Sequence, residues 1–347
     1  MKPSYGRKRI GKAVVLLVTM VLFSMLTGGC GNRAMQTVLE DRGDKAGGEE
    51  GRTIEYIDGI PMDENAAVVT VSVADVYEEP GVKSLRVTQV LCNQPVSVIR
   101  QSNGWAMVKT ISGITGWIRT KFISDDISSI SGRLYTYRIV VTSREKTVYS
   151  RPGSGATMVN AHMGTEFYAF NSSDDAYEVF LPGNRTGWIK GSGIIRIDPP
   201  NGEIPVTNAG DFASTALRFK GISFMLNGLT SLGIDAPGLV YICARINGID
   251  LPITLEGQMH SGVEIPLEKV QAGDLVFLAE KASVQETPGT GETGETEGEE
   301  LKITSVGICT GGSNYIYAGR KTGYVAIGDL YRENPDGIAV MARRIFD

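Results

Sequence analysis

The apolar and polar positions divide the chain into stretches of different period. Residues 13–26 form one apolar run of 14, preceded by Lys2, Arg7, Lys8, Arg9 and Lys12. Residues 66–198 carry short alternating runs, such as 68–73 and 96–99, separated by Asn103-Gly104 and Pro182-Gly183-Asn184. Period-two alternation with such turns predicts small antiparallel barrels. Beyond Pro199-Pro200 the period lengthens, and Leu239, Val240, Cys243 and Ile246 fall on one face of a helix opened by Asp235. Residues 211–219 predict another helix, and 274–278, 304–310, 315–318 and 337–342 predict strands. The C-terminal part is therefore expected to be an α+β domain, with helices packed on an antiparallel sheet.

The alternating region repeats. Val76-Tyr77-Glu78-Glu79-Pro80-Gly81 returns 72 residues later as Val148-Tyr149-Ser150-Arg151-Pro152-Gly153. Gly116-Trp117-Ile118-Arg119 returns after 71 as Gly187-Trp188-Ile189-Lys190. Two domains follow, at 66–126 and 134–198. In cores this small Trp105, Trp117 and Trp188 are expected to pack inside, and Tyr77 and Tyr149 are the candidates for stacking on a sugar or peptide. The pairing of V-Y-x-x-P-G with G-W-I and a basic residue resembles the bacterial SH3-like domain, which implies cell-wall targeting.

Charge and cysteines narrow the function. The full chain carries 34 Lys and Arg against 39 Asp and Glu, a net −5. The basic stretch and apolar run read as a secretory signal over residues 1–29. At 14 residues the run falls short of the ~20 needed to span a bilayer as a helix. Without residues 1–29, which hold five basic and no acidic side chains, the charge is −10. Such acidity excludes ordinary nucleic-acid binding, which needs clustered Lys and Arg. Thr27-Gly28-Gly29-Cys30 resembles a bacterial lipobox, which implies lipidation of Cys30 and a membrane anchor. Residues 30–65 are expected to form a flexible tether. Cys92, Cys243 and Cys309 have no metal-ligand spacing, so neither metal nor cofactor is indicated. Residues 283–300 hold six glutamates and no basic residue, and read as a solvated insertion, with a lid over a pocket as the alternative.

The candidate site is Gly233-Ile234-Asp235-Ala236-Pro237-Gly238-Leu239-Val240. Asp235 is a good N-cap and Pro237 a good first-turn residue, so a cysteine at 236 would sit at the positive end of a helix and be reactive. The residue there is Ala236. The stretch resembles the D-C-S-G-L-V motif of NlpC-type cell-wall endopeptidases, papain-like enzymes. Gly221-Ile222-Ser223-Phe224, Leu251-Pro252 and Gly273-Asp274-Leu275-Val276-Phe277 follow in the family's order, over residues 206–347. The resemblance maps the family's nucleophile, base and orienting residue onto Ala236, Ser305 and Tyr317, and its pocket onto Asp235 and Phe224. It implies a catalytically inactive, lipid-anchored extracytoplasmic protein that binds peptidoglycan stem peptides. The alternatives are an unconventional cell-wall peptidase and an adaptor docking an envelope protein.

Overall fold

The computed structural model describes residues 56–57, 60–131, 135–281 and 301–346. The first alternating stretch folds as β1 (Ala66–Val69), β2 (Val73–Tyr77), β3 (Arg86–Leu91), β4 (Pro95–Ser102), β5 (Trp105–Thr110), β6 (Thr115–Arg119) and β7 (Ile123–Ser124). These strands run antiparallel in the order β3-β2-β6-β5-β4-β1-β7. The second gives β8 (Tyr137–Val141), β9 (Glu145–Arg151), β10 (Ser154–His162), β11 (Glu166–Ser173), β12 (Ala176–Leu181), β13 (Arg185–Lys190) and β14 (Ile194–Ile197). Their order, β10-β9-β13-β12-β11-β8-β14, follows the same path. The repeat extends to register: Tyr77 pairs with Trp117, and Tyr149 with Trp188. Asn103 and Gly104 both take positive φ, as the tight β4–β5 hairpin requires.

Three expectations change. The sheets are open rather than closed barrels: among the described residues, β3 and β7 end the first and β10 and β14 the second. Part of the β3 edge is occupied instead by a C-terminal loop, since Asn227 Nδ2 donates to the Arg86 carbonyl and the Leu229 N–H to Gln89 Oε1. Covering an edge this way satisfies groups that closure would otherwise pair. The run at 68–73 is two strands with a corner between them. Nor is all of 30–65 a tether, because Tyr56–Ile57 pairs with Ile60–Pro61, and Ile57 and Ile60 are buried. Ile57 joins Val68, Ile130, Tyr168 and Phe180 in a cluster between the two sheets.

The C-terminal part contains α1 (Ala209–Leu217), α2 (Ala236–Ile246) and α3 (Leu255–Met259). Its strands are β15 (Val263–Ile265), β16 (Leu275–Lys281), β17 (Leu301–Gly311), β18 (Asn314–Ala318), β19 (Val325–Asp329) and β20 (Ile338–Arg344), in the order β15-β20-β16-β17-β18-β19. Alternation sorts this sheet into two faces. Leu275, Phe277, Val306, Ile308, Ile316 and Ala318 pack with Leu239, Val240 and Cys243 of α2. Val276, Leu278, Cys309, Tyr315 and Tyr317 make a separate cluster. Residues 1–29, Cys30 and residues 283–300 lie outside the described residues.

The helical core is shared along the chain. Leu91 of β3, Val140 of β8, Met163 and Ile197 of β14 belong to the same cluster as α1 and α2. Nearby, Glu166 of β11 lies between Arg138, at 3.0 Å, and Arg245 of α2, at 2.6 Å. The two sheets and the α+β part are thus packed together, rather than joined loosely at 199–202.

Candidate functional site

The N-terminus of α2 is fixed by Asp235. One carboxylate oxygen accepts from the Gly238 N–H and the other from the Asn227 N–H, both at 2.8 Å. The first bond caps the helix, and the second folds the 225–229 loop against it. Pro237 sits in the first turn, where its missing N–H costs nothing. A Cβ at Gly238 would collide with the Gly228 carbonyl, so the helix start and the loop touch only because the residue is glycine. Gln258, fully buried, donates to the carbonyls of Pro237 and Pro252, both at 2.9 Å, and ties α3 to the same turn.

This corner borders a cavity of about 430 Å³. Ala236, Asp235, Phe224 and Ser305 all line it, so the structure brings together four of the residues singled out from the sequence. Val87, Thr88 and Ile114 of the first domain, Ile253 to Leu255, and Glu280, Arg320 and Asp336 complete much of the wall. Asp336 is buried and accepts from the backbone N–H groups of Lys321 and Thr322, while Glu280 pairs with Lys321 at 2.6 Å. Burial pushes the Asp235 carboxyl up to about 6, outweighing its backbone donors and the Arg86 charge, which favour the ionised form.

Tyr317 is not part of the cavity lining. It is on the sheet face away from α2, where its hydroxyl donates to Asn334 Oδ1 at 3.1 Å and lies 3.3 Å from Thr322 Oγ1. Tyr149 belongs to the second sheet, and Tyr77 borders a different cavity. Trp105 and Trp117 are buried as packing residues and Trp188 is half-buried.

Among the described residues, no histidine or cysteine lines the cavity. His162 Nδ1 is 3.4 Å from Ser231 Oγ, and His260 Nδ1 is 2.8 Å from the Glu256 carbonyl. Cys92, Cys243 and Cys309 are buried elsewhere, and burial pushes the thiol of Cys92 up to about 12. Ser305 and Thr304 therefore have no described imidazole beside them. Among the described residues no group of His, Cys, Asp and Glu is placed to hold a metal. Sequence reasoning missed the contribution of Val87, Thr88 and Ile114, which lie in another domain, far from Ala236 along the chain. No local motif signals such a contact.

Residues 221–288 match the NlpC/P60 family, and residues 72–124 match the Bacterial SH3 domain. The chain carries both domains. Its NlpC/P60 match begins just before Phe224 and includes the whole of α2. A gamma-D-glutamyl-L-lysine dipeptidyl-peptidase of Bacillus cereus is 23% identical over 248 residues, 67% of this chain and 74% of that protein. The enzyme of the same name from Bacillus subtilis is 24% identical over 208 residues, 55% of this chain and 64% of that one. The crystal structure of an NlpC/P60 family protein from Bacillus cereus covers 81% of this chain over its full length, with a TM-score of 0.66 and 20% identity. That likeness establishes the fold.

Proposed function

We propose that this protein binds peptidoglycan stem peptides in the Ala236 cavity without cleaving them. The observation that carries the reading is the side chain of Ala236. It occupies the helix N-terminus where the NlpC-type motif places its nucleophile, in a cavity whose described lining has neither thiol nor imidazole. A methyl group cannot attack a peptide carbonyl, and a serine at 305 without a base is not activated. What remains is a partly apolar cavity with Asp235, Glu280, Arg320 and Asp336 as polar points, suited to an extended peptide bearing charges.

The same reading makes the second sheet a further SH3-like unit, on the strength of its matching strand order. It puts the mature protein outside the cytoplasm, lipid-anchored through Cys30, with its domains facing the wall.

Calorimetry with purified muropeptides tests the binding, and chromatography of the same mixtures tests the chemistry. Saturable binding with the peptides recovered intact is expected. Product release that survives rigorous repurification would establish a peptidase instead. Absence of muropeptide binding, with capture of a defined envelope protein, would favour the adaptor. For the anchor, a labelled fatty acid should mark the wild type and leave Cys30→Ser unlabelled.

A further inference from the structure

A second cavity of about 450 Å³ lies between the first sheet and the 225–232 loop. Val82, Phe122, Met225 and Leu232 give it apolar walls, and Tyr77, Arg119, Gln89 and the Asp75–Arg86 pair give it polar ones. The two arginines nearby differ in their occupancy. Arg86 has its fork filled by Asp75, at 2.7 Å, and by the Leu226 carbonyl, at 3.1 Å. Arg119 has no acceptor among the described residues, and its guanidinium stacks 4.8 Å over the ring of Trp105. A guanidinium held against an aromatic ring has fewer rotamers to lose on binding, and its planar fork is already organised for an acceptor. Tyr77 donates its proton to Asp75 at 3.1 Å, so its remaining lone pair is an acceptor.

The sister sheet shows that folding does not require this arrangement. At the positions of Trp105 and Arg119 it has Tyr177 and Lys190, on the same strand path. Lysine lacks the planar fork that reads a carboxylate with two bonds.

We propose that this cavity is a second peptide-binding site, taking a segment whose carboxylate meets the Arg119 fork. A backbone N–H of the peptide reaches Tyr77, and apolar side chains pack on Met225 and Leu232. A peptide fits because Arg86 and Asp75 neutralise each other, which leaves one uncommitted cation for one anion, one acceptor, and apolar wall alongside them. None of these groups lines the Ala236 cavity, so the site stands or falls separately from the function proposed above.

Calorimetry on the full chain with acetyl-Leu-Ala-Ala, against the same peptide ended as an amide, tests the assignment. The free acid is expected to bind at least about tenfold more tightly, as a charge-assisted bidentate pair is stronger than a neutral contact. Arg119→Gln should abolish that preference, and Arg119→Lys should retain part of it. Arg100→Gln, which removes a cation stacked 5.0 Å over Trp117 but outside the cavity, should leave it intact. Equal affinity for acid and amide, no binding of either at millimolar concentration, or equal losses in Arg100→Gln and Arg119→Gln would overturn the proposal. Circular dichroism confirms that each variant is folded, and Arg119→Lys carries the test if Arg119→Gln is not.

Discussion

Glu166 of the second sheet lies 2.6 Å from Arg245 of α2, and the same carboxylate lies 3.0 Å from Arg138. One acidic side chain therefore offsets two largely buried cations across the boundary between sheet and helix. Removing one partner of a buried pair costs roughly 3–5 kcal/mol, because the other charge stays buried and uncompensated. Glu166→Ala is expected to lose stability on that scale in urea unfolding. A loss below about 1 kcal/mol, the range of exposed pairs, would show that water reaches both arginines.

The N-terminus of α2 should not regain catalysis by one substitution. Ala236→Cys places a thiol beside Asp235, with Ser305 unable to take its proton. Groups that act as a unit are not recovered one at a time. Ala236→Cys is expected to release no muropeptide products above wild type. Adding Ser305→His supplies an imidazole in the same cavity, and should raise the rate of iodoacetamide alkylation at neutral pH. Adding Tyr317→His should give little more, since Tyr317 is on the other sheet face. Strong turnover by Ala236→Cys alone would show that some group already acts as base.

Stability should depend on pH through Asp235. Its carboxyl titrates at about 6 when folded and near 3.8 when unfolded, so the folded state holds the proton more tightly. The stability it contributes is fully present below the lower value and is lost as pH rises through the upper one. The swing is roughly 3 kcal/mol. Unfolding free energy in the wild type should fall between about pH 4 and about pH 6.5 more steeply than in Asp235→Asn. Parallel curves would mean that the carboxyl is ionised throughout.

Gly238→Ala tests the close approach of loop and helix. Alanine favours a helix over glycine by about 1 kcal/mol. Its methyl group would meet the Gly228 carbonyl, and such overpacking costs about 1–3 kcal/mol. Net destabilisation is expected in thermal unfolding. A stabilised variant would show that the 225–229 loop yields easily.

Much of this architecture was legible from the residues. The offset of 72 placed Tyr77 and Tyr149 at matching registers, because a duplicated sheet repeats its turns as well as its core. The α2 start followed from Asp235 and Pro237. What escaped were features made by distant contacts or by too few residues to show a pattern. The helix expected over 211–219 starts earlier, at Ala209, because Asn208 caps it, its side chain accepting from the Asp211 N–H. Ile57 and Ile60 are too few to show a period, yet both are buried. The spacing of Ser305 and Tyr317 gave no warning that one would line the cavity and the other face away. The strand is irregular at that point: Leu278 pairs with Ser305 but Ala279 pairs with Ile303, which breaks the alternation a sequence pattern relies on. The first-domain wall of the cavity depends on tertiary contacts, the 225–229 loop meeting β3 through Asn227 and Leu229.

The core residues Leu91, Val140, Met163 and Ile197 have a practical corollary for anyone dividing this protein. A fragment cut at 199–202 would carry α1 and α2 with part of their apolar covering stripped off. Its newly wetted patch would draw copies together in a test tube, and a missing cavity wall would pass for weak affinity. Experiments on ligand choice therefore belong to the undivided chain, and insertions are tolerated best where that seam is not crossed.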